Sequence, residues 1–231
     1  MAVGCNHGSW ADKSALAGVM EFKRLWNPET RIHLGDYMDT TSFRNGAGIK
    51  DHLGEIKDDL LKGVEFLEQY EPTLLFNGNH DIRVWESLDD SNAHRRFAAQ
   101  EIIKSVRDAI GKKTEFVEDY NIKTSVRTIG DTNVLHGFMY NENAVRDHAA
   151  HFGKCLFAHL HKVAAAPASR MDSPVGYCVG YLGDESKFDY AARRRALAQW
   201  SQGLAYGEYN DKECMIWLIE RSKGGEWRFP I

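Results

Sequence analysis

Five times between residues 3 and 157 a short apolar run breaks off and is followed within two residues by Gly, Asn, Asp or His. The runs are Val3, Ile32 to Leu34, Leu74 to Phe76, Val134 to Leu135, and Leu156 to Phe157. They are too short for helices and read as buried strands that end in polar loops. Helical patterns lie between them. The clearest is Leu53, Ile56, Leu60, Leu61, Val64 and Leu67, whose spacing puts one apolar stripe toward a core. Others cover Lys13 to Leu25, Ala93 to Ile110, and Asn143 to Phe152, the last with Asn143 as its starting cap and Gly153 as its stop. Alternating strand and helix predicts an α/β fold with a largely parallel or mixed sheet.

The last third reads differently. Val175 to Gly180, Gly203 to Tyr209, Cys214 to Ile219 and Trp227 to Phe229 have strand patterns, with Asn210, Asp211 and Lys212 as a turn, which predicts a second sheet packed on the first. A charged insertion at about 184–200, containing Arg193 to Arg195, reads as helical. No repeat or linker-like tract interrupts the chain, so residues 1–231 are expected to form one domain. Only four residues precede Cys5, so the first strand is either stunted or continued by residues upstream. A short strand there is expected to leave a pairing edge that a partner chain can cover, which keeps an oligomer open.

With 29 basic and 33 acidic residues the net charge is -4, so whole-molecule charge does not draw the protein onto duplex nucleic acid or anionic lipid. No run approaches the roughly 18 apolar residues of a membrane span, and the start lacks a basic-then-apolar leader. Cys5, Cys155, Cys178 and Cys214 show no C-x-x-C pair, which suits a reducing compartment. A soluble, cytoplasmic protein is expected.

In an open α/β sheet the loops leaving the carboxyl ends of the strands converge on one rim. Here they read Cys5-Asn6-His7-Gly8, Gly35-Asp36-Tyr37-Met38-Asp39, Gly78-Asn79-His80-Asp81, His136-Gly137 and His159-Leu160-His161. Nearly every loop delivers oxygen or imidazole. That is more than one divalent ion needs, and it fits two ions sharing a bridging carboxylate with a phosphate held between them.

These blocks resemble those of calcineurin-like metallophosphoesterases: D-x-H, G-D-x-x-D, G-N-H-D/E, a lone H, and G-H-x-H. The match spans residues 4 to 161, and a looser likeness is to versions carried by tailed phages, for which the host cytoplasm would be the location. The resemblance implies a four-layer αββα sandwich of two mixed sheets flanked by helices. It implies two divalent ions, with Mn favoured and Zn, Fe or Ni possible. His7, Asp36 and His161 would hold the first, with Cys5 as a fourth ligand. Asp36 would bridge to the second, completed by Asn79, His136 and His159. Hydroxide between the ions would attack phosphorus while His80, oriented by Asp39, protonates the departing alkoxide. Arg83, with Asn79 and His80, is placed to bind the substrate phosphate.

Three departures from the pattern matter. Cys5 stands where the first block has Asp; a thiolate can ligate and bias the site toward Zn or Fe, or the residue is a small buried side chain and the site is weak. Ala158 replaces a Gly. Thr40 stands where protein Ser/Thr phosphatases carry Arg, which argues against a phosphoprotein substrate.

Other histidines read as structural: His33, His52 and His94 as core or surface, and His148 with His151 as a helical pair lacking a third ligand. Arg95-Arg96 and Arg193 to Arg195, with Trp200, Tyr206 and Tyr209, allow a nucleic-acid path but are more simply solvated faces. Trp10 and Trp85 wall a pocket or fill the core. The expected function is hydrolysis of a phosphate ester, with a phosphodiester or nucleotide favoured because an acid such as His80 helps expel a poor leaving group. A nuclease is one alternative. A degenerate binding protein is the other, against which retention of His80 and Asp39 speaks.

Overall fold

The structure is a computed structural model that describes residues 1–44, 46, 56–188 and 199–230. Two mixed sheets face one another. The first contains β1 (Ala2–Val3), β2 (Ile32–His33), β3 (Leu74–Phe76), β4 (Glu115–Val117), β10 (Gly203–Tyr209) and β11 (Cys214–Glu220), in the order β11-β10-β1-β2-β3-β4. β1 to β4 are parallel, while β10 runs antiparallel to β1. The second sheet contains β5 (Arg127–Ile129), β6 (Thr132–Val134), β7 (Cys155–Phe157), β8 (Val163–Pro167) and β9 (Val175–Val179), in the order β5-β6-β7-β9-β8.

Strand alternation assigns each side chain to a layer. Ala2, Ile32, Leu74 and Phe76 point inward with Val134, Leu156 and Val179 of the facing sheet, forming the core between the sheets. Their neighbours Val3 and Leu75 point outward onto helices. Val3 meets α1 (Lys13–Trp26) through Ala15, Val19 and Phe22. Leu75 meets α2 (Ile56–Tyr70), α3 (Ile82–Glu86) and α4 (Ala93–Ile110) through Leu67, Val84, Ala99 and Ile103. Phe157 and Cys155 of β7 face α5 (Ala144–Phe152) through Val145. The layers are therefore helix, sheet, sheet, helix. Each fully buried Leu, Val or Phe contributes about 1.5–3 kcal/mol relative to exposure. Asp12 caps α1 by accepting from Ser14 N and Ala15 N, and Asn92 caps α4 through His94 N and Arg95 N.

Several details differ from expectation. β1 is short but lies between β10 and β2, so it leaves no free edge. β10 and β11 extend the first sheet rather than building the second, because the turn at Asn210 folds them back as a hairpin beside β1. Residues Trp227 to Phe229 form no strand. Their alternating aromatics lie across α1 instead, Trp227 over Gly18 and Phe229 4.9 Å from the Phe22 ring. The Asn143 side chain makes no capping bond, whereas Gly153 stops α5 with φ of 72° and its N–H on Ala149 O. In the charged insertion, Glu185–Lys187 forms one 3-10 turn, and 189–198, including Arg193 to Arg195, lie outside the described residues, as do His52 and Leu53. β4, β5 and β8 were not legible, being short and half-polar or, in β8, a run of alanines.

Candidate metal centre

All five loops leave the carboxyl ends of β1, β2, β3, β6 and β7, so the fold brings them to one rim. Five non-glycine residues on these loops adopt left-handed backbone: Cys5 (φ 54°), His7 (53°), Asp36 (55°), His159 (66°) and His161 (57°). Such φ values cost a residue with a Cβ on the order of 1–3 kcal/mol and cluster at functional sites. Gly78 is fixed as glycine by the same crowding: a Cβ there would lie 2.2 Å from Asp36 Oδ1 and 2.6 Å from His136 Cε1.

Donor atoms of Cys5, His7, Asp36 and His161 lie within 4.8 Å of one another, as do those of Asp36, His136 and His159. Asp36 is common to both groups. Its Oδ2 is 3.9 Å from Cys5 Sγ, 4.0 Å from His7 Nε2 and 3.3 Å from His136 Nε2. Asn79 Oδ1 joins the second group, 3.1 Å from His136 Nε2 and 2.8 Å from His159 Nδ1. His7 Nε2 and His161 Nε2 approach to 3.0 Å. Among the described residues no further trio of such donors occurs beyond these and His7 with Asp39 and His80.

The protonation states of His7, His159, His161 and Asp36 favour ligation, whereas His136, which Asp36 raises against the effect of burial, and Cys5 must each lose a proton to bind. Burial and nearby positive imidazoles push His159 down to about 3 and His161 well below its ordinary value, so both rings are neutral with free lone pairs. Burial likewise lowers His7. Burial opposes the charge of Asp36, but His136, His80 and His7 hold its carboxyl well below the usual range. Burial and Asp36 push the Cys5 thiol well up, so it would ligate only where an arriving cation displaces its proton to solvent. His136 Nδ1 donates to Leu34 O at 2.6 Å, which turns Nε2 toward Asp36 and Asn79. Among the described residues His161 Nδ1 is buried with no hydrogen-bond partner. A carboxylate, an amide oxygen, four imidazoles and a thiol, with one ring nitrogen left orphaned, fit borderline divalent cations.

Beside these donors stands a second arrangement. Asp39 Oδ1 is 3.1 Å from both His7 Nδ1 and His80 Nδ1. His80 Nδ1 also donates to Asp39 O at 2.7 Å, so the ring proton sits on Nδ1 and Nε2 remains without a protein partner among the described residues. Burial acts against the His80 cation, but Asp36 and Asp39 outweigh it and raise its pKa. Arg83 Nη1 donates to Asp39 O at 3.2 Å and lies 3.3 Å from His80 Nδ1. Thr40 Oγ1 donates to His80 O at 2.5 Å, tying the second loop to the third.

Sequence reasoning missed the buried acceptors beneath these loops. Asp81 takes Asp36 N (2.6 Å), Gly78 N (2.9 Å) and Met38 N (3.1 Å), and Asp59 takes backbone N–H groups from two loops. Asp81 closes the Gly78 to Asp81 block and was visible there; Asp59 stood in a helix with nothing to mark it. His33 is buried and bonds Asn6 Oδ1 at 2.8 Å. His148 Nδ1 bonds Ala144 O and its Nε2 accepts from Phe138 N, so this ring is structural. His94 opens α4 on the exposed surface. Trp85 donates to Glu118, and Trp10 packs edge-on to Phe188. Trp200 lies 4.4 Å from the His161 ring, but Tyr206 and Tyr209 line a cavity of about 480 Å³ at the opposite end of the strands, so the three make no common path. Arg95 and Arg96 are engaged with the backbone at Phe43, Asp90 and Ser91. No helix among the described residues is long and apolar enough to cross a membrane.

No family model matches the chain, and no curated protein matches it in sequence. Solved structures do. It is similar to a metallophosphoesterase from Sphaerobacter thermophilus at 15% identity and a TM-score of 0.46, covering 98% of this chain and 87% of that one. It is similar to an archaeal phosphodiesterase at 12% identity and TM-score 0.44, covering 94% and 97%. A wild-type Vps29 from Entamoeba histolytica, complexed with zinc, matches at 13% identity and TM-score 0.35, covering 70% of this chain and 82% of that one.

Proposed function

We propose that the chain is a metal-dependent phosphoesterase of the calcineurin-like type, acting on a phosphodiester or nucleotide. The observation that carries the reading is the pairing of two donor groups through Asp36 with a His80–Asp39 couple that holding an ion does not require. Cys5, His7, Asp36 and His161 would hold one divalent ion, and Asp36, Asn79, His136 and His159 a second. Such ions, when bound, polarise water and neutralise phosphate oxygens.

The residues themselves do the rest. Asp39 accepts from His7 Nδ1, keeping Nε2 of that ring directed at the first group. Asp39 and its carbonyl hold the proton of His80 on Nδ1, and Asp36 and Asp39 raise its pKa, which favours the protonated ring whose Nε2 proton would pass to a leaving oxygen. Arg83 adds positive charge beside that ring. An aryl ester needs little help from this acid and an alkyl ester much, which favours substrates with poor leaving groups.

The test is elemental analysis of the purified protein, followed by assay of aryl mono- and diesters, nucleotides and oligonucleotides with Mn, Zn, Fe and Ni added in turn. About two ions per chain and metal-dependent turnover of diesters are expected. Turnover confined to oligonucleotides, with steep salt dependence, would make it a nuclease. Metal without turnover of any ester would leave a binding protein.

A further inference from the structure

We propose that Asp59 is a positioning residue that locks the loop carrying His7 to the loop carrying Asp39, and so sets the aim of the Asp39 carboxylate at His80. The inference rests on the functional reading above.

Asp59 lies in the first turn of α2 and is buried. Its carboxylate accepts from three backbone donors on two separate loops. Oδ2 takes Thr40 N at 2.9 Å, both oxygens lie 3.1 Å from Asp39 N, and Oδ1 takes Ser9 N at 3.2 Å. No cation pairs with it among the described residues, so these N–H groups are what compensate its burial. Asp39 is thus gripped by its own main chain immediately behind the side chain that meets His7 and His80 at 3.1 Å.

The neighbouring packing leaves the clamp no slack. A Cβ on Gly8 would fall 2.1 Å from Asp59 Oδ1 and 2.6 Å from Asp59 O. One helical turn further along α2, a Cβ on Gly63 would fall 2.8 Å from Tyr37 O. The same helix face therefore presses on both loops, once through a carboxylate and once through a bare backbone. Gly8 N in turn donates to Tyr37 O at 3.0 Å, and His7 N to Asp36 O at 3.0 Å, so the two loops also bond each other directly. Asp59 is the point at which the helix enters that contact. A misplacement of about 1 Å at a proton donor is enough to cost an enzyme about a hundredfold.

The test is Asp59→Asn, which keeps the shape but offers one acceptor oxygen and sets an NH2 group against backbone N–H donors. Two measurements are made. Amide hydrogen exchange at Ser9, Asp39 and Thr40 should accelerate by about tenfold or more, with the core strands unchanged; this holds whether or not the protein is an esterase. In the metal-loaded variant, kcat for alkyl phosphodiesters should fall by about tenfold or more, while p-nitrophenyl esters lose about twofold at most, with KM and metal content retained. An equal loss for both ester classes, or unchanged exchange at the three amides, overturns the proposal. Absence of turnover in the unmutated protein would sink the functional reading and leave the exchange result to decide whether the clamp exists. Should Asp59→Asn fail to fold, Gly8→Ala, which displaces the same carboxylate without removing it, takes its place with the same expected pattern.

Discussion

The Nε2 atoms of His7 and His161 face each other at 3.0 Å in the protein interior, while Nδ1 of His161 is buried without a partner among the described residues. Two neutral rings so placed can share only one proton between the facing nitrogens. The protein therefore leaves His161 incompletely satisfied, at a cost of about 1–3 kcal/mol. His161→Phe, which keeps a ring and removes both nitrogens, should leave the metal-free protein at least as stable as the parent. It should also abolish the gain given by an ion held in the group of Cys5, His7, Asp36 and His161. That gain in the parent, at metal a hundredfold above its Kd, is about 2.7 kcal/mol, or roughly 5–10 °C in Tm. Calorimetry of both proteins with and without metal checks it.

His80→Ala should retain the metals and lose hydrolysis by about 10²- to 10⁴-fold, since His80 belongs to neither donor group around Asp36. Elemental analysis alongside steady-state kinetics separates the two effects. A variant as active as the parent would remove the acid from the mechanism.

Cys5→Asp puts a second carboxylate beside Asp36, whose Oδ2 now lies 3.9 Å from the thiol. Without metal the like charges repel by on the order of a few kcal/mol, so the variant should melt earlier in chelator. With metal the order should reverse, and Mn should compete better against Zn than in the parent. Thermal melts across a metal series, read against chelator, give both signs at once.

Acid should destabilise the metal-free protein as the pH falls below about 6.5. Burial lowers His33 and His159 to about 3 and His148 to about 4, and lowers His7 and His161 as well. The unfolded chain takes up these protons near pH 6.5 while the folded protein refuses them. Stability is therefore full above about 6.5 and falls as the pH drops toward the folded values, by up to about 1.4 kcal/mol per pH unit for each ring. His80 and His136 are raised, so their contribution is present at and below pH 6.5 and fades above it; burial also raises Asp81 to about 7 and Asp59 to about 6, so the folded protein takes up two protons in this range that the unfolded chain does not, and these four groups offset part of the loss from the five lowered rings. Unfolding free energies from pH 7.5 to 5 in chelator should fall steadily. His33→Asn should flatten the slope.

Gly18 on α1 lies under the Trp227 ring, and a Cβ there would sit 2.1 Å from two ring atoms. Gly18→Ala should lift the C-terminal aromatic pair off Phe22 and cost about 1–3 kcal/mol despite the better helix propensity of alanine. Tryptophan fluorescence would report the exposed ring.

The layer structure was legible because apolar runs such as Leu74 to Phe76 and the stripe through Leu60 and Leu67 carry the period of their element. Polar residues that end such runs must gather at one rim, so the meeting of Asp36, Asn79, His136, His159 and His161 was legible as well. Partnership at a distance was not. Nothing local tells that Gly203 to Tyr209 will lie against Ala2, that Trp227 and Phe229 will cross a helix rather than pair, or that Asp59 will reach into two loops. These are settled by which surfaces remain to be covered once the sheets have formed.

The left-handed turns at Cys5, His7, Asp36, His159 and His161 narrow what descent can do with this rim. Asn, Asp, Gly and His tolerate that geometry, while valine, isoleucine and threonine are penalised by their branched Cβ. Exchange at these positions is thus steered among short polar side chains and glycine, most of which can still offer a lone pair to a cation. Substitution at these positions would therefore change which ion the proposed site prefers more readily than it would strip the rim of donors.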